Sequence, residues 1–166
     1  CWGDGALGDG TRGSSPRPVD VVGLTHGVTA IAVDSHHSCA IAADGSVKCW
    51  GANAYGELGD GITIDRLTPV DVVGLGGGAL SVSVNSEGGI GHSCAVSVAG
   101  GVKCWGNNGW GQLGDGTRGV GRSTPEYVVS LAAGAVATDV GDQHSCVLTD
   151  NGSVRCWGGN FYGQTG

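Results

Sequence analysis

HSCAIAADGSVKCWGANAYGELGDG, residues 37–61, decides the fold, because the chain repeats it. HSCAVSVAGGVKCWGNNGWGQLGDG occupies 92–116, HSCVLTDNGSVRCWGGNFYGQTG occupies 144–166, and a shortened CWGDGALGDG opens the chain at Cys1. The Cys-Trp pairs stand 48, 55 and 52 residues apart. A period near 50 with this much local identity marks a repeat architecture, so the fold has to be argued from the unit.

Within residues 39–50, Ala43-Asp44-Gly45 reads as a three-residue hairpin loop with Gly at the position that needs a left-handed backbone. Val98-Ala99-Gly100 and Asp150-Asn151-Gly152 are its equivalents. Counting outward from the loop brings Cys39 opposite Cys49 at a non-hydrogen-bonded pair, where side chains come closest. The same count pairs Cys94 with Cys104 and Cys146 with Cys156. Each bridge would contribute about 2.5–3 kcal/mol through the unfolded chain. Strand alternation puts His37, Cys39, Ile41, Val47 and Cys49 on one face and Ala40, Ala42, Lys48 and Trp50 on the other. Both faces carry groups that gain from burial, so a unit needs neighbours on both sides.

The rest of the unit supplies two more strands. VTAIAVD (28–34), LSVSVNS (80–86) and AVATDVG (135–141) alternate just before each His-Ser-Cys segment. TPVDVVGL (68–75) and TPEYVVSL (124–131) read as fourth strands, with SPRPVDVVGL (15–24) the same element one unit earlier. Proline suits an edge strand, where its missing N–H does no harm. Four short strands per unit is the composition of a propeller blade. The fold expected is all-β: a single array over 1–166, with units near 1–48, 49–103 and 104–155 and a partial unit at 156–166. About three four-stranded blades, with partial blades at both ends, would belong to a ring or a longer array.

Composition narrows the function. The 166 residues include 35 Gly, no Met, one Phe and seven Cys, and the net charge is −7. Scattered acidic charge without a basic stripe speaks against nucleic acid as a partner. No stretch is long and apolar enough to insert in a bilayer as a helix. Paired Cys at fixed spacing point to disulfides and an extracellular or cell-surface location. Zinc is disfavoured, because structural zinc sites use Cys two to four residues apart rather than ten.

The order of alternating strand, His-Ser, Asp-Gly, Val-x-x-Trp-Gly-x-Asn-x-x-Gly-Gln-Leu-Gly-x-Gly, then Pro and a strand resembles the regulator of chromosome condensation repeat. The resemblance runs along essentially the whole chain and implies β-propeller blades, about seven in a complete ring. Members of that family include a nucleotide-exchange factor for a small GTPase, light sensors, domains of ubiquitin ligases and secreted bacterial inhibitors of β-lactamases. The paired Cys set this chain apart from cytosolic members and make a disulfide-bearing extracellular bacterial branch the nearer analogy.

Candidate residues separate into structural and binding groups. His37, His92 and His144 recur beside Ser38, Ser93 and Ser145, but neighbouring strand residues face opposite ways, which forbids the Ser–His contact nucleophilic catalysis needs. They read as structural, as do Trp50, Trp105 and Trp157. Asp9, Asp60 and Asp115 lie in turns without the ligand density of a calcium loop. No metal, cofactor or catalytic residue is expected. Tyr55, Trp110, Phe161 and Tyr162 fall in the variable turn after Cys-Trp-Gly, and aromatic residues there suit a binding role. Asn151-Gly152-Ser153 matches a glycosylation acceptor pattern. The function expected is a non-catalytic scaffold or adhesion module that binds protein or glycan, or that assembles with further repeats or other copies of itself. A secreted enzyme inhibitor is the alternative, and an exchange factor the less favoured one.

Overall fold

β-branched residues alternating with small ones, broken by Gly at most reversals, fold as short antiparallel strands. The computed structural model describes all residues, Cys1–Gly166. Eleven strands form in order: β1 Val28–Val33, β2 His37–Ala42, β3 Val47–Gly51, β4 Arg66–Asp71, β5 Ala79–Asn85, β6 His92–Ser97, β7 Val102–Gly106, β8 Arg122–Tyr127, β9 Ala135–Val140, β10 His144–Thr149 and β11 Val154–Gly158. They make two four-stranded sheets, β1-β2-β3-β4 and β5-β6-β7-β8, and a three-stranded sheet, β9-β10-β11.

Each hairpin closes as its loop chemistry dictates. Gly45, Gly100 and Gly152 have φ near +80°, and the Gly45 N–H donates to Ala42 O at 2.8 Å. The register then sets Cys39 opposite Cys49, Cys94 opposite Cys104 and Cys146 opposite Cys156. All three pairs are bonded, with Cα atoms 4.1 Å apart.

The fourth strands begin two residues earlier than the Thr-Pro reading places them, at Arg66 and Arg122, and end at Asp71 and Tyr127. A register shift between Cys49 and Gly51, repeated between Cys104 and Gly106, lets Gly51 meet Arg66 and Gly106 meet Arg122. Pro69 and Pro125 lie on these edge strands. Residues 15–24 do not form a strand. They pair with the opening turn through a bridge between Gly3 and Ser15, exchanged bonds between Cys1 and Val19 and a bond from Val22 N to Gly8 O at 2.9 Å. The third sheet has three strands, and β11 is followed by the turn at 159–166.

Sheets stack face on face. Cys39, Ile41, Val47 and Cys49 of the first sheet share a buried cluster with Ala95 and Trp105 of the second. Cys94, Val96, Val102 and Cys104 of the second meet Val147 and Trp157 around the third. The disulfide face of one blade is thus covered by the Trp face of the next. Trp105 and Trp157 lie flat against Gly59 and Gly114 of the preceding turn, where a Cβ would approach the indole nitrogen to 2.8 and 2.6 Å. Only glycine leaves room for that contact.

Candidate functional site

The repeated polar residues knit the joints between blades. Ser93 Oγ and Trp105 Nε1 both donate to the carbonyl of Glu57, at 2.8 and 2.7 Å. Ser145 Oγ and Trp157 Nε1 donate to the carbonyl of Gln112, both at 2.8 Å. His37 Nε2 lies 2.9 Å from Ser93 Oγ, and His92 Nε2 lies 2.8 Å from Ser145 Oγ. Each Ser spends its one proton on a carbonyl, so the imidazole must donate through Nε2–H. That leaves Nδ1 of His37 and His92 as a bare, buried acceptor. Protonating it would bury a charge with no partner, and burial lowers His37 to about 4 and His92 to about 3. His and Ser therefore do meet, but across blades, with the serine committed to structure. The arrangement offers no nucleophile.

The first joint differs. Trp50 Nε1 is buried without a partner. Trp2 stands five residues before Leu7, whereas Trp50 stands eight before Leu58, so this turn is three residues shorter.

Buried side chains lock the turns that follow Trp-Gly. Asn53 Oδ1 accepts from Leu58 N, and its Nδ2 donates to Asp60 Oδ1, Ile62 O and Ile64 O. Asn108 does the same with Leu113 N, Asp115 and Thr117. Asp60 and Asp115 also hold Arg66 and Arg122, at 3.0 and 2.8 Å. The carboxylates of the Gly-rich turns are thereby engaged within the fold. Glu57 is buried, its side chain accepts from Tyr55 N at 2.8 Å, and burial raises its carboxyl above the ordinary range. The sequence reading assigned no role to these Asn and Glu/Gln residues. Asn recurring four residues after each Cys (Asn53, Asn108, Asn160) was the available signal.

At the end of the sheets opposite the hairpins, Tyr55 and Trp110 sit on these locked turns, and Phe161 and Tyr162 on the equivalent third turn, where exposed Asn160 accepts from Thr165 N. Tyr55, Trp110, Phe161 and Tyr162 are all exposed, Tyr162 to 94%. Trp110 and Phe161 meet edge-on, with ring centroids 4.6 Å apart. Arg118 lies over Trp110 at 4.6 Å. Asn151 occupies an exposed hairpin tip at the opposite end, its Oδ1 accepting from Ser153 N. Cys1 carries a free, half-buried thiol.

Residues 44–96 and 99–148 match the regulator of chromosome condensation (RCC1) repeat, and residues 28–57 and 135–164 match a second form of it. The chain belongs to this repeat family. It is 31% identical over 170 residues to the ultraviolet-B receptor UVR8 of Arabidopsis thaliana, covering 99% of this chain and 38% of the receptor. It is 34% identical over 165 residues to the human E3 ubiquitin-protein ligase HERC2, covering 95% of this chain and 3% of the ligase. Among solved structures, Prp20p from Saccharomyces cerevisiae superposes with a TM-score of 0.77 at 23% identity, covering 96% of this chain and 41% of Prp20p. Human WBSCR16 superposes with a TM-score of 0.76 at 24% identity, covering 94% and 39%. The chain thus spans less than half of each of these proteins. The RCC1 repeats here are β-propeller blades, and their likeness to these structures shows the fold.

Proposed function

We propose that this RCC1-repeat chain is a non-catalytic extracellular scaffold that binds a protein through the turns at the aromatic end of its blades. The observation that carries the reading is a division of labour. His37, His92, Ser93, Ser145, Trp105 and Trp157 are turned into blade joints, while the variable aromatics stand exposed on the turns, those of Tyr55 and Trp110 locked by buried Asn53 and Asn108. Rigid aromatic anchors on a fixed backbone suit a protein partner, because little side-chain freedom is lost on binding. Protein binding also fits the relatives: Prp20p was characterised for binding Gsp1p and histones, and yeast RCC1 was solved with Kap60. Three disulfides support an oxidising, extracellular setting.

Assembly with further repeats is part of the same reading. Ile31 and Val33 are 58% and 62% exposed on β1, and β11 is an edge strand of its sheet. Another repeat, from the same polypeptide or from a second copy, would cover both surfaces.

Photo-crosslinking tests the binding face. A benzoylphenylalanine at Tyr55 or Tyr162 should capture a partner from the protein's native extracellular milieu, and one at Val98 on the hairpin end should not. Capture from Val98 alone, or from no position, overturns the proposal.

A further inference from the structure

One cleft at the aromatic end has walls with unmatched chemistry. It encloses about 170 Å³ between Glu87, Ile90, Trp110, Gln112, Asp142 and Gln143. Three segments build it. Residues 86–91 connect β5 to β6 through a short 3-10 turn, Glu87–Gly89. This connection is three residues longer than 34–36 between β1 and β2 or 141–143 between β9 and β10. The extra length sets Glu87 and the exposed Ile90 beside the Trp110 turn, and the shorter loop of the next blade brings Asp142 to the other side.

Trp110 is fixed before any ligand arrives. Its backbone N–H donates to Gln112 Oε1 at 2.8 Å, and buried Gln112 donates in turn to Asn107 Oδ1 at 2.9 Å. Phe161 abuts its ring edge-on. The Arg118 guanidinium, 4.6 Å from the ring centroid, shows that this indole accepts a planar cation.

The two carboxyls lack what their surroundings call for. Glu87 and Asp142 line the same cleft, and Asp142, as an acceptor for the protonated acid and then through its charge, raises the Glu87 carboxyl above its ordinary range. The chain's ion pairs use Asp60, Asp65, Asp71 and Asp115, and none reaches Glu87 or Asp142. Like charges held together in this way favour a bound cation. A metal ion is a poor match, since no group of three His, Cys, Asp or Glu side chains is placed to hold one. A guanidinium is a good one: its flat fork pairs with carboxylates, and its face stacks on an aromatic ring.

We propose that this cleft receives an arginine side chain of the partner protein, held by Glu87 and Asp142 against Trp110. The inference rests on the reading of the aromatic end as a protein-binding face and names the chemistry of one contact there. The test needs no cellular partner. The full chain, labelled with nitrogen-15, is titrated with acetyl-Gly-Arg-Gly-amide, with its lysine counterpart and with its uncharged citrulline counterpart. The arginine peptide should shift the Trp110 indole N–H and the amides of residues 87–90 and 142–143 saturably, with the lysine peptide weaker and the citrulline peptide silent. Combining Glu87→Gln with Asp142→Asn should weaken the arginine peptide at least about tenfold while leaving the amides of β6, β7 and β10 unmoved. Equal response to citrulline, lysine binding as tight as arginine, an unaffected double variant, or no saturable shift at millimolar peptide would each overturn it. Crosslinking from Tyr55 or Tyr162 could still succeed in those cases, so failure of the cleft and failure of the binding face can be told apart.

Discussion

His92 illustrates how one side chain ties stability to pH. Its pKa is lowered from the ordinary 6.5 to about 3 by complete burial, so the unfolded chain takes up the proton first on acidification. The stabilisation from keeping it neutral is fully present above about pH 6.5 and is lost as pH falls towards 3, with His37 adding a smaller loss down to about 4. At about 1.4 kcal/mol per pKa unit, the losses are on the order of 5 kcal/mol for His92 and 3 kcal/mol for His37. Urea midpoints of wild type and His92→Asn between pH 7 and pH 4 check this: the wild type should fall more steeply than the variant. The tryptophans supply a second comparison. Trp105→Phe removes a buried donor from the Glu57 carbonyl and should cost about 1–2 kcal/mol more than Trp50→Phe, because Trp50 Nε1 has no partner to lose. Equal urea stabilities of the two variants would contradict that hydrogen-bond account.

Hairpins are the unit at which local chemistry suffices. A three-residue loop with Gly in the left-handed region sets the register, and the register places the Cys pairs face to face. The pairing is therefore readable from sequence, because it depends only on residues within ten positions. Replacing Cys94 and Cys104 together by Ala should lower stability by about 2–3 kcal/mol and leave the strand register unchanged, as read by denaturant unfolding and by cross-strand amide contacts. The fourth strands were harder to delimit. Pro69 and Pro125 mark edge strands correctly, but the starts at Arg66 and Arg122 follow from the register shift opposite Trp50 and Trp105, which strand propensity does not encode.

Across the molecule, stability comes from stacking rather than from any one sheet. The first two disulfide faces are sealed by the next blade's Trp face, while Ile31 and Val33 of β1 at one end of the stack and Leu148 and Val154 beside the third disulfide at the other stay exposed. At about 25 cal/mol per Å² of apolar surface, covering a few hundred Å² is worth several kcal/mol. The 166-residue chain on its own should accordingly associate as concentration rises, and Ile31→Lys with Val33→Lys should suppress that association while preserving the fold. Light scattering and sedimentation read the result; a strictly monomeric wild type across the range would count against self-association.

The sequence by itself determined the repeat, the hairpins, the Cys partners and the all-β class, because period-two alternation, loop chemistry and a 50-residue recurrence act over short spans of chain. It also singled out Tyr55, Trp110, Phe161 and Tyr162 as the residues that vary on a constant frame. Only the tertiary structure decided whom the repeated polar groups serve. The partner of His37 is Ser93, 56 residues away, and the partner of His92 is Ser145, 53 away. Those distances are set by the offset of one blade on the next, a packing quantity that no local pattern records. The same offset carries Glu87, Trp110 and Asp142 from three separate turns to the rim of one cleft.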